Sequence, residues 1–252
     1  MYASNIQKHK NRPFQSIIVA GGSGSRMQAD APKQFLELCG KPILMHSITA
    51  FADACVDIRI IVVLPASQIE NWQKLCIHYD FTLPHDIAEG GSTRFQSVKN
   101  GLFKLSGDGL VAIHDGVRPL AGRQTINDCF RGAAKYGCAV PVIPVTDSVR
   151  EVSEHTSRMV DRSALRLIQT PQVFDITLLK KAYEQEYSPE FTDDASVFEK
   201  SGQVIHLTEG NVENIKITTP NDMIVAEAYL LNSSNTVFPF CNISLHGIDG
   251  IV

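Results

Sequence analysis

The sequence predicts an α/β protein built on a doubly wound, mainly parallel sheet, with a β-arm projecting from it. Short, nearly continuous apolar runs rich in Val and Ile alternate with segments whose apolar residues recur at helical spacing. Strands apolar on both sides belong to parallel sheets covered by helices on both faces. The alternation fails once, between Asp147 and Thr170, where a polar segment reads as a hairpin instead.

The elements follow in chain order. Residues 16–20 form a buried strand that turns through Ala20-Gly21-Gly22-Ser23-Gly24-Ser25-Arg26-Met27. Ile43, Leu44, Ser47, Ile48 and Phe51 mark a helix, and residues 58–64 a β-branched strand closed by Pro65. Ile69, Trp72, Cys76 and Tyr79 mark a second helix, and Phe95, Val98, Leu102 and Leu105 a third. Residues 110–113 are a short strand, and Ile126, Phe130 and Ala133 lie on the next helix. Residues 138–145 are again strand-like, with Pro141 and Pro144 predicting bulges or an edge position.

Ser148-Val149-Arg150-Glu151-Val152 predicts one strand of the hairpin, residues 153–157 its polar turn, and Arg158-Met159-Val160-Asp161-Arg162 the return. So polar a hairpin has little core of its own. Residues 147–170 are therefore expected to project as an arm and pack against a second copy of the chain, giving a homodimer. A helix resumes over 176–186, and Thr192-Asp193-Asp194 caps another through Phe198. Strands are expected over 203–208 and 214–218. Thr219-Pro220-Asn221-Asp222 then opens a helix running through Leu231. Residues 14–231 are read as one domain, with 1–13 and 232–252 as terminal tails. The second tail has no clear period and is expected to be partly disordered.

Lys and Arg number 23 against 27 Asp and Glu, a net charge of −4. That balance argues against general binding to nucleic acid or to an anionic membrane, so any basic site has to be local. Six cysteines (Cys39, Cys55, Cys76, Cys129, Cys138 and Cys241) include no C-x-x-C pair, and the histidines show no zinc-like spacing. With no export signal apparent, the cysteines are read as reduced and the protein as cytoplasmic. The longest apolar run, 60–64, is far too short to span a bilayer.

The first glycine turn carries the strongest chemical signal. Its glycines let several backbone N–H groups aim at one anion, and Arg26 and Lys33 add positive charge beside them. Two cations beside a bare loop repel unless an anion joins them, which predicts a polyphosphate site. The plainer reading of the loop alone is a strand-to-helix turn with no ligand. It is not a dinucleotide fingerprint, because Met27 stands at the third glycine position, and it lacks the Gly-Lys-Ser/Thr of a Walker A loop.

Ligands of such sheets sit at the carboxyl ends of the strands, so the loops after Ala20, Ile113 and Val145 share an edge. Asp115, in His114-Asp115-Gly116-Val117-Arg118-Pro119, stands at that edge and could hold Mg²⁺. The competing reading has it cap its own turn and pair with Arg118. The shared edge favours the metal. Glu89-Gly90-Gly91-Ser92-Thr93-Arg94 is a second glycine turn whose backbone could press against a flat base, with Ser97 one turn inside the helix. Lys216, between Ile215 and Ile217, either snorkels outward from an edge strand or reaches the phosphate site. No G-x-S-x-G or H-E-x-x-H motif is present, and no cysteine has an obvious activating neighbour. The chemistry should rest on Mg²⁺, Arg and Lys without a covalent nucleophile.

These motifs, together with Pro32-Lys33-Gln34-Phe35, Val160-Asp161-Arg162, Gln169-Thr170-Pro171-Gln172-x-Phe174 and Asn214-Ile215-Lys216, resemble the 2-C-methyl-D-erythritol 4-phosphate cytidylyltransferases over residues 16–231. The resemblance implies a homodimeric enzyme with one nucleotidyltransferase domain. It would transfer CMP from CTP to 2-C-methyl-D-erythritol 4-phosphate, giving 4-diphosphocytidyl-2-C-methyl-D-erythritol and pyrophosphate in the non-mevalonate isoprenoid pathway. It implies that the backbone of Ala20, Gly21, Gly22 and Gly24 holds CTP, with catalytic Arg26 and Lys33 on its phosphates. Gly91 and Ser97 would take the cytosine and ribose side. Asp115 would serve Mg²⁺ and the acceptor, and Arg118, Ser148 and catalytic Lys216 would line the acceptor pocket. Arg162 and Thr170 would reach the acceptor phosphate of the neighbouring subunit.

Ser23, Ser25, Ser92, Gly116 and Ser148 depart from the residues usual in that family, although Ser148 keeps a hydroxyl. Ribitol 5-phosphate cytidylyltransferases share the glycine loop, the Asp-x-x-Arg-Pro turn and the Asn-Ile-Lys segment, but Val160-Asp161-Arg162 favours the methylerythritol enzymes. An NAD(P)-dependent oxidoreductase and a non-catalytic nucleotide sensor are the rivals from other classes.

Overall fold

The computed structural model describes residues 13–22 and 31–234. β1 (Phe14–Val19) lies at the centre of the main sheet, with Ile17 and Ile18, on opposite faces, both fully buried. A strand apolar on both faces has to be covered on both. β4 (Arg59–Leu64) pairs parallel on one side of it and β6 (Leu110–Asp115) parallel on the other, so Val19 stands beside both Val63 and Asp115. β5 (Asp86–Glu89) extends the sheet beyond β4. The chain winds outward from β1 to β5 and then crosses back to β6. The crevice between the carboxyl ends of β1 and β6 is therefore the switch point at which doubly wound sheets hold ligands.

On one face, α1 (Ile43–Ala54), α2 (Ala66–His78) and α4 (Arg123–Tyr136) pack on Ile18, Ile60 and Val62. On the other, α3 (Arg94–Lys104), α5 (Ile176–Ala182) and α6 (Asp194–Lys200) pack on Ile17, Ile61 and Val63. Residue 101 has to be glycine for α3 to lie so close to β1, because an added Cβ would come within 2.8 Å of Ile17 Cγ2. α7 (Pro220–Ser234) closes a small satellite core with the hairpin of β2 (Glu37–Leu38) and β3 (Lys41–Pro42), burying Leu38, Val117, Ile217 and Ala226. It runs three residues beyond the expected Leu231.

Beyond β6 the sheet departs from the predicted alternation. β11 (Gln172–Asp175) inserts antiparallel between β6 and β7 (Cys138–Pro144), and β10 (Arg166–Ile168) runs antiparallel to the far half of β7. Neither strand was expected, since three or four residues carry too little alternation to read. β7 is not at an edge, because β12 (Leu207–Glu209) lies parallel along its other side. Pro141 sits instead at a break in the ladder. Ile168 stands opposite Val142 but Val173 opposite Ala139, a slip of two residues. There the Gln169 N–H donates to the Pro141 carbonyl at 2.9 Å, and proline has no N–H to return the bond.

Two expected strands are corrected. That over 203–208 shrinks to Leu207–Glu209. That over 214–218 is irregular chain, tied to its neighbours by one backbone bond from Ile217 N–H to the Val117 carbonyl at 2.9 Å. Asn214 N–H and Ile215 N–H turn back to the Asn211 and Glu213 carbonyls, and Arg118 Nη1 donates to the Asn214 carbonyl at 2.7 Å. Lys216 therefore sits on a loop strapped across the site and not on a strand.

β8 (Val149–Val152) and β9 (Ser157–Val160) form a separate antiparallel hairpin, closed by a bond from Ser153 N–H to the Thr156 carbonyl at 2.9 Å. Its Val152 and Met159 side chains are largely exposed. No helix among the described residues is long and apolar enough to cross a membrane. Cys39, Cys55, Cys76, Cys129 and Cys138 are free thiols. Gly24, Arg26, Cys241 and the tail segments 1–12 and 235–252 lie outside the described residues.

Candidate active site

Three backbone bonds lock the strand ends together: Ala20 N–H to the Val63 carbonyl, Gly116 N–H to Val19, and Gly90 N–H to Leu64, all at 2.8–2.9 Å. They bring the loops after β1, β5 and β6 to one edge of the sheet. A hollow of about 240 Å³ opens there, lined by Ala20, Gly21, Gly22, Lys33, Gly91 and Ser97 among others.

Lys33 begins a single 3₁₀ turn, Lys33–Phe35. Phe35 anchors that turn by stacking on Trp72, and Gln34 Nε2 donates to the Ala20 carbonyl at 2.9 Å. Lys33 is thereby held against the first glycine loop, so that a Cβ on Gly22 would lie 3.5 Å from Lys33 Cε. Across the hollow, Thr93 caps α3 by accepting from Gln96 N–H. Ser97 Oγ accepts from Gly91 N–H at 3.0 Å and donates to the Thr93 carbonyl at 2.9 Å. Its hydroxyl thus shapes the second glycine turn. Residue 91 tolerates no side chain, since a Cβ would overlap Gln96 Cγ at 2.2 Å.

A larger cavity of about 670 Å³ adjoins the hollow, lined by Arg118, Gln169, Thr170, Gln172, Asp193 and Ser196 among others. Arg94, Asp115 and Lys216 line both. These three residues form the seam. Asp115 Oδ2 lies 3.0 Å from Lys216 Nζ and 3.4 Å from Arg118 Nε, and its Oδ1 lies 3.7 Å from Arg94 Nε. Burial would push this carboxyl up, but Arg94, Lys216 and Arg118 overcome that and hold it well below the usual carboxylate range. Three cations thus meet the single carboxylate of Asp115, and Lys33 lines the smaller cavity beside them, a local positive field that suits a polyanionic ligand.

The backbone of Asp115 is held by a chain of bonds. Its N–H donates to Thr170 Oγ1 at 3.1 Å, and Thr170 Oγ1 lies 3.0 Å from His114 Nδ1. His114 Nε2 lies 3.0 Å from the Arg118 carbonyl, which can only accept, so the ring proton is assigned to Nε2 and Thr170 donates to Nδ1. Burial pushes the imidazole down to about 4 and keeps it neutral. Asn214 Nδ2 donates to the Thr170 carbonyl at 2.8 Å, joining the strap to the same frame.

The structure thus brings together Ala20, Gly21, Gly22, Lys33, Gly91, Ser97, Asp115, Arg118, Thr170 and Lys216. Ser148 and Arg162 line neither cavity of the single chain. Both are exposed at the base of the arm, where Arg162 bonds the Thr146 carbonyl. Arg94, His114, Gln172 and Asp194 were not anticipated as site residues. Asp193 is the helix cap, accepting from Ser196 N–H at 2.9 Å, whereas Asp194 is fully buried and accepts from Arg94 Nη2 at 2.6 Å. A signal existed: Asp194 precedes Val197 and Phe198 by three and four residues and so shares their buried face.

A doubly wound α/β sheet with paired glycine turns and a cation-rich seam at its switch point defines a protein that handles nucleotide phosphates. The family model for 2-C-methyl-D-erythritol 4-phosphate cytidylyltransferase matches residues 14–232. The chain belongs to that family. The enzyme of this name from Phocaeicola vulgatus is 52% identical over 214 residues, covering 85% of this chain and 98% of the relative. That from Porphyromonas gingivalis is 48% identical over 216 residues, covering 85% and 96%. Among solved structures, the 4-diphosphocytidyl-2C-methyl-D-erythritol synthase of Anaerococcus prevotii superposes with a TM-score of 0.75 at 27% identity, covering 90% of this chain and 99% of that one. The Thermus thermophilus cytidylyltransferase gives 0.66 at 31% identity, covering 85% and 98%.

Proposed function

We infer that the chain transfers the cytidylyl group of CTP to 2-C-methyl-D-erythritol 4-phosphate, releasing pyrophosphate and supplying the non-mevalonate isoprenoid pathway. The observation that carries the reading is the seam: two cavities of different size meet at Arg94, Asp115 and Lys216. The smaller, between the glycine turns, takes the nucleotide, with backbone amides of residues 20–22 and the ammonium of Lys33 on its phosphates. Arg26, outside the described residues, keeps the role on those phosphates that the family resemblance implies. The larger takes the polyol phosphate, with Arg118, Thr170 and Lys216 on its side.

The acceptor is a phosphate monoester with a second pKa of about 6, so its attacking oxygen is already anionic at neutral pH. An acceptor oxygen forms a bond to the α-phosphorus, the bond from that phosphorus to the bridging oxygen breaks, and pyrophosphate leaves with the electron pair. No general base is needed. The work lies in holding two polyanions together, which Lys33 and Lys216 do by charge and position, with the charge of Arg26 added to theirs.

Mg²⁺ fits this site in one limited way. Among the described residues no cluster of three or more His, Cys, Asp or Glu could hold a metal ion. Asp115, kept anionic by its neighbours, supplies one hard oxygen, and a nucleotide triphosphate supplies the others, a common arrangement for Mg²⁺. Bound there, the ion would neutralise charge on the α-phosphate and the leaving group.

The arm supports a homodimer. Val152 and Met159 are 76% and 78% exposed on a hairpin with no core of its own. Packing against a partner would bury them and would carry Ser148 and Arg162 toward the partner's acceptor cavity.

Pyrophosphate release tests the reading directly. CTP, Mg²⁺ and 2-C-methyl-D-erythritol 4-phosphate together should give turnover, and EDTA should abolish it. Ribitol 5-phosphate offered in competition should be the poorer acceptor. Equal or preferred use of ribitol 5-phosphate would overturn the acceptor assignment, and undiminished turnover in EDTA would overturn the metal.

A further inference from the structure

Arg94 is the first residue of α3, set in place by the Thr93 cap, and its side chain crosses the seam to line both cavities. One end of the guanidinium is clamped. Nη2 donates to Asp194 Oδ2 at 2.6 Å, and Nε stands 3.7 Å from Asp115 Oδ1. Asp194 is fully buried, and its other oxygen accepts from the Tyr183 hydroxyl at 2.6 Å. Tyr183 is itself buried, stacked on Phe95 with ring centroids 4.7 Å apart, so the whole relay is rigid.

A buried carboxylate paired with an arginine is a poor device for stability, because the desolvation of two charges offsets most of their attraction. It is a good device for aiming a guanidinium. Among the described residues, Arg94 Nη1 makes no hydrogen bond, and 29% of the side chain stays exposed at the cavities. An arginine fixed through one nitrogen and open through another is arranged to receive an oxyanion. Lys216 differs, being a flexible point charge with 43% of its side chain exposed.

We propose that Arg94 binds the acceptor's phosphate group as it meets the nucleotide, and that Asp194 and Tyr183 are positioning residues that hold the guanidinium across the seam. This rests on the cytidylyltransferase reading. Arg94 would offset the repulsion between the two phosphate groups and fix the angle of approach. No proton moves, and the bonds made and broken are those already given.

The test uses the full-length protein with CTP, Mg²⁺ and 2-C-methyl-D-erythritol 4-phosphate. In the Arg94→Gln/Asp194→Asn double variant the buried ion pair becomes a neutral hydrogen-bonding pair, so the fold should persist, as thermal melting would show. Its kcat/KM for the acceptor should fall roughly 100-fold or more, while the Kd for CTP alone, by calorimetry, stays within about threefold. Arg94→Lys should not restore activity, because an ammonium cannot contact Asp194 and the ligand through separate nitrogens. Asp194→Asn, which keeps the guanidinium but loosens it, should raise the acceptor KM more than it lowers kcat. Added methylguanidinium should partly rescue Arg94→Ala, which a merely structural role would not allow. A folded double variant within threefold of wild type, or one losing CTP affinity as much as acceptor efficiency, would overturn the proposal alone. A wild type that releases no pyrophosphate would overturn the cytidylyltransferase reading and this proposal with it.

Discussion

Acidification should destabilise this protein through His114. The imidazole is fully buried, accepts from Thr170 through Nδ1 and donates through Nε2 to the Arg118 carbonyl, a pattern available only to the neutral ring. Folding holds its pKa down at about 4 against an ordinary 6.5. The unfolded chain therefore binds the proton more readily than the folded one, so stability present above pH 6.5 is lost as pH falls toward 4. At about 1.4 kcal/mol per tenfold change, the loss is roughly 2 kcal/mol by pH 5 and approaches about 3 kcal/mol near pH 4. Asp115 contributes little between pH 7 and 5, because its ordinary value of 3.8 lies below that range and Arg94, Lys216 and Arg118 hold the folded carboxyl lower still. His46, which burial also lowers, titrates equally in wild type and variant and cancels in the comparison. Urea unfolding at pH 7, 6 and 5 should show wild type losing about 2 kcal/mol more than His114→Gln over that range. Parallel losses, within about 0.5 kcal/mol of each other, would refute the account.

Other perturbations read other parts of the molecule. Lys33→Ala should keep the fold but lower turnover about 10²–10³-fold, the usual scale for losing one preorganised charge contact; a near-normal kcat would remove Lys33 from the chemistry. Thr170→Val leaves the Asp115 N–H without its acceptor and should cost about 1–3 kcal/mol in chemical denaturation, whereas Thr170→Ser should not. Gly101→Ala forces a methyl to within 2.8 Å of Ile17 and should destabilise by about 1–3 kcal/mol, with unchanged stability showing that α3 yields easily. The wild type should sediment as a dimer and Val152→Asp with Met159→Asp as a monomer of depressed activity; a wild-type monomer would remove the proposed homodimer, and a persistent dimer in the variant would place the interface elsewhere.

Much of this was legible in the letters because it is local. Strands buried on both faces have to be apolar throughout, helices have to repeat every three to four residues, and a turn that offers amides to an anion has to be glycine-rich. The strands over 16–20, 58–64, 110–113 and 138–145, the helices between them and the polar hairpin were legible in this way, whereas β5, four residues long, was not. The loops after Ala20, Ile113 and Val145 could be placed at one edge from the sequence, whereas the turn at 90–91 joins them only through β5.

What tertiary structure alone decided is everything that depends on distant partners. β10 and β11 are too short to show a period, and only the β6 and β7 edges on either side make a strand of residues 172–175. The segment holding Lys216 has the composition of a strand, yet its carbonyls and amides are met by Arg118, Gln169 and Val117, so it becomes a strap. Of two adjacent aspartates, the letters pick out a helix start, whereas the fold gives Asp193 to the cap and Asp194 to Arg94, 100 residues away in sequence. Local preference is set within a few residues and can be read from them. Charge pairing across the sheet is set by distance in space, which sequence separation does not record.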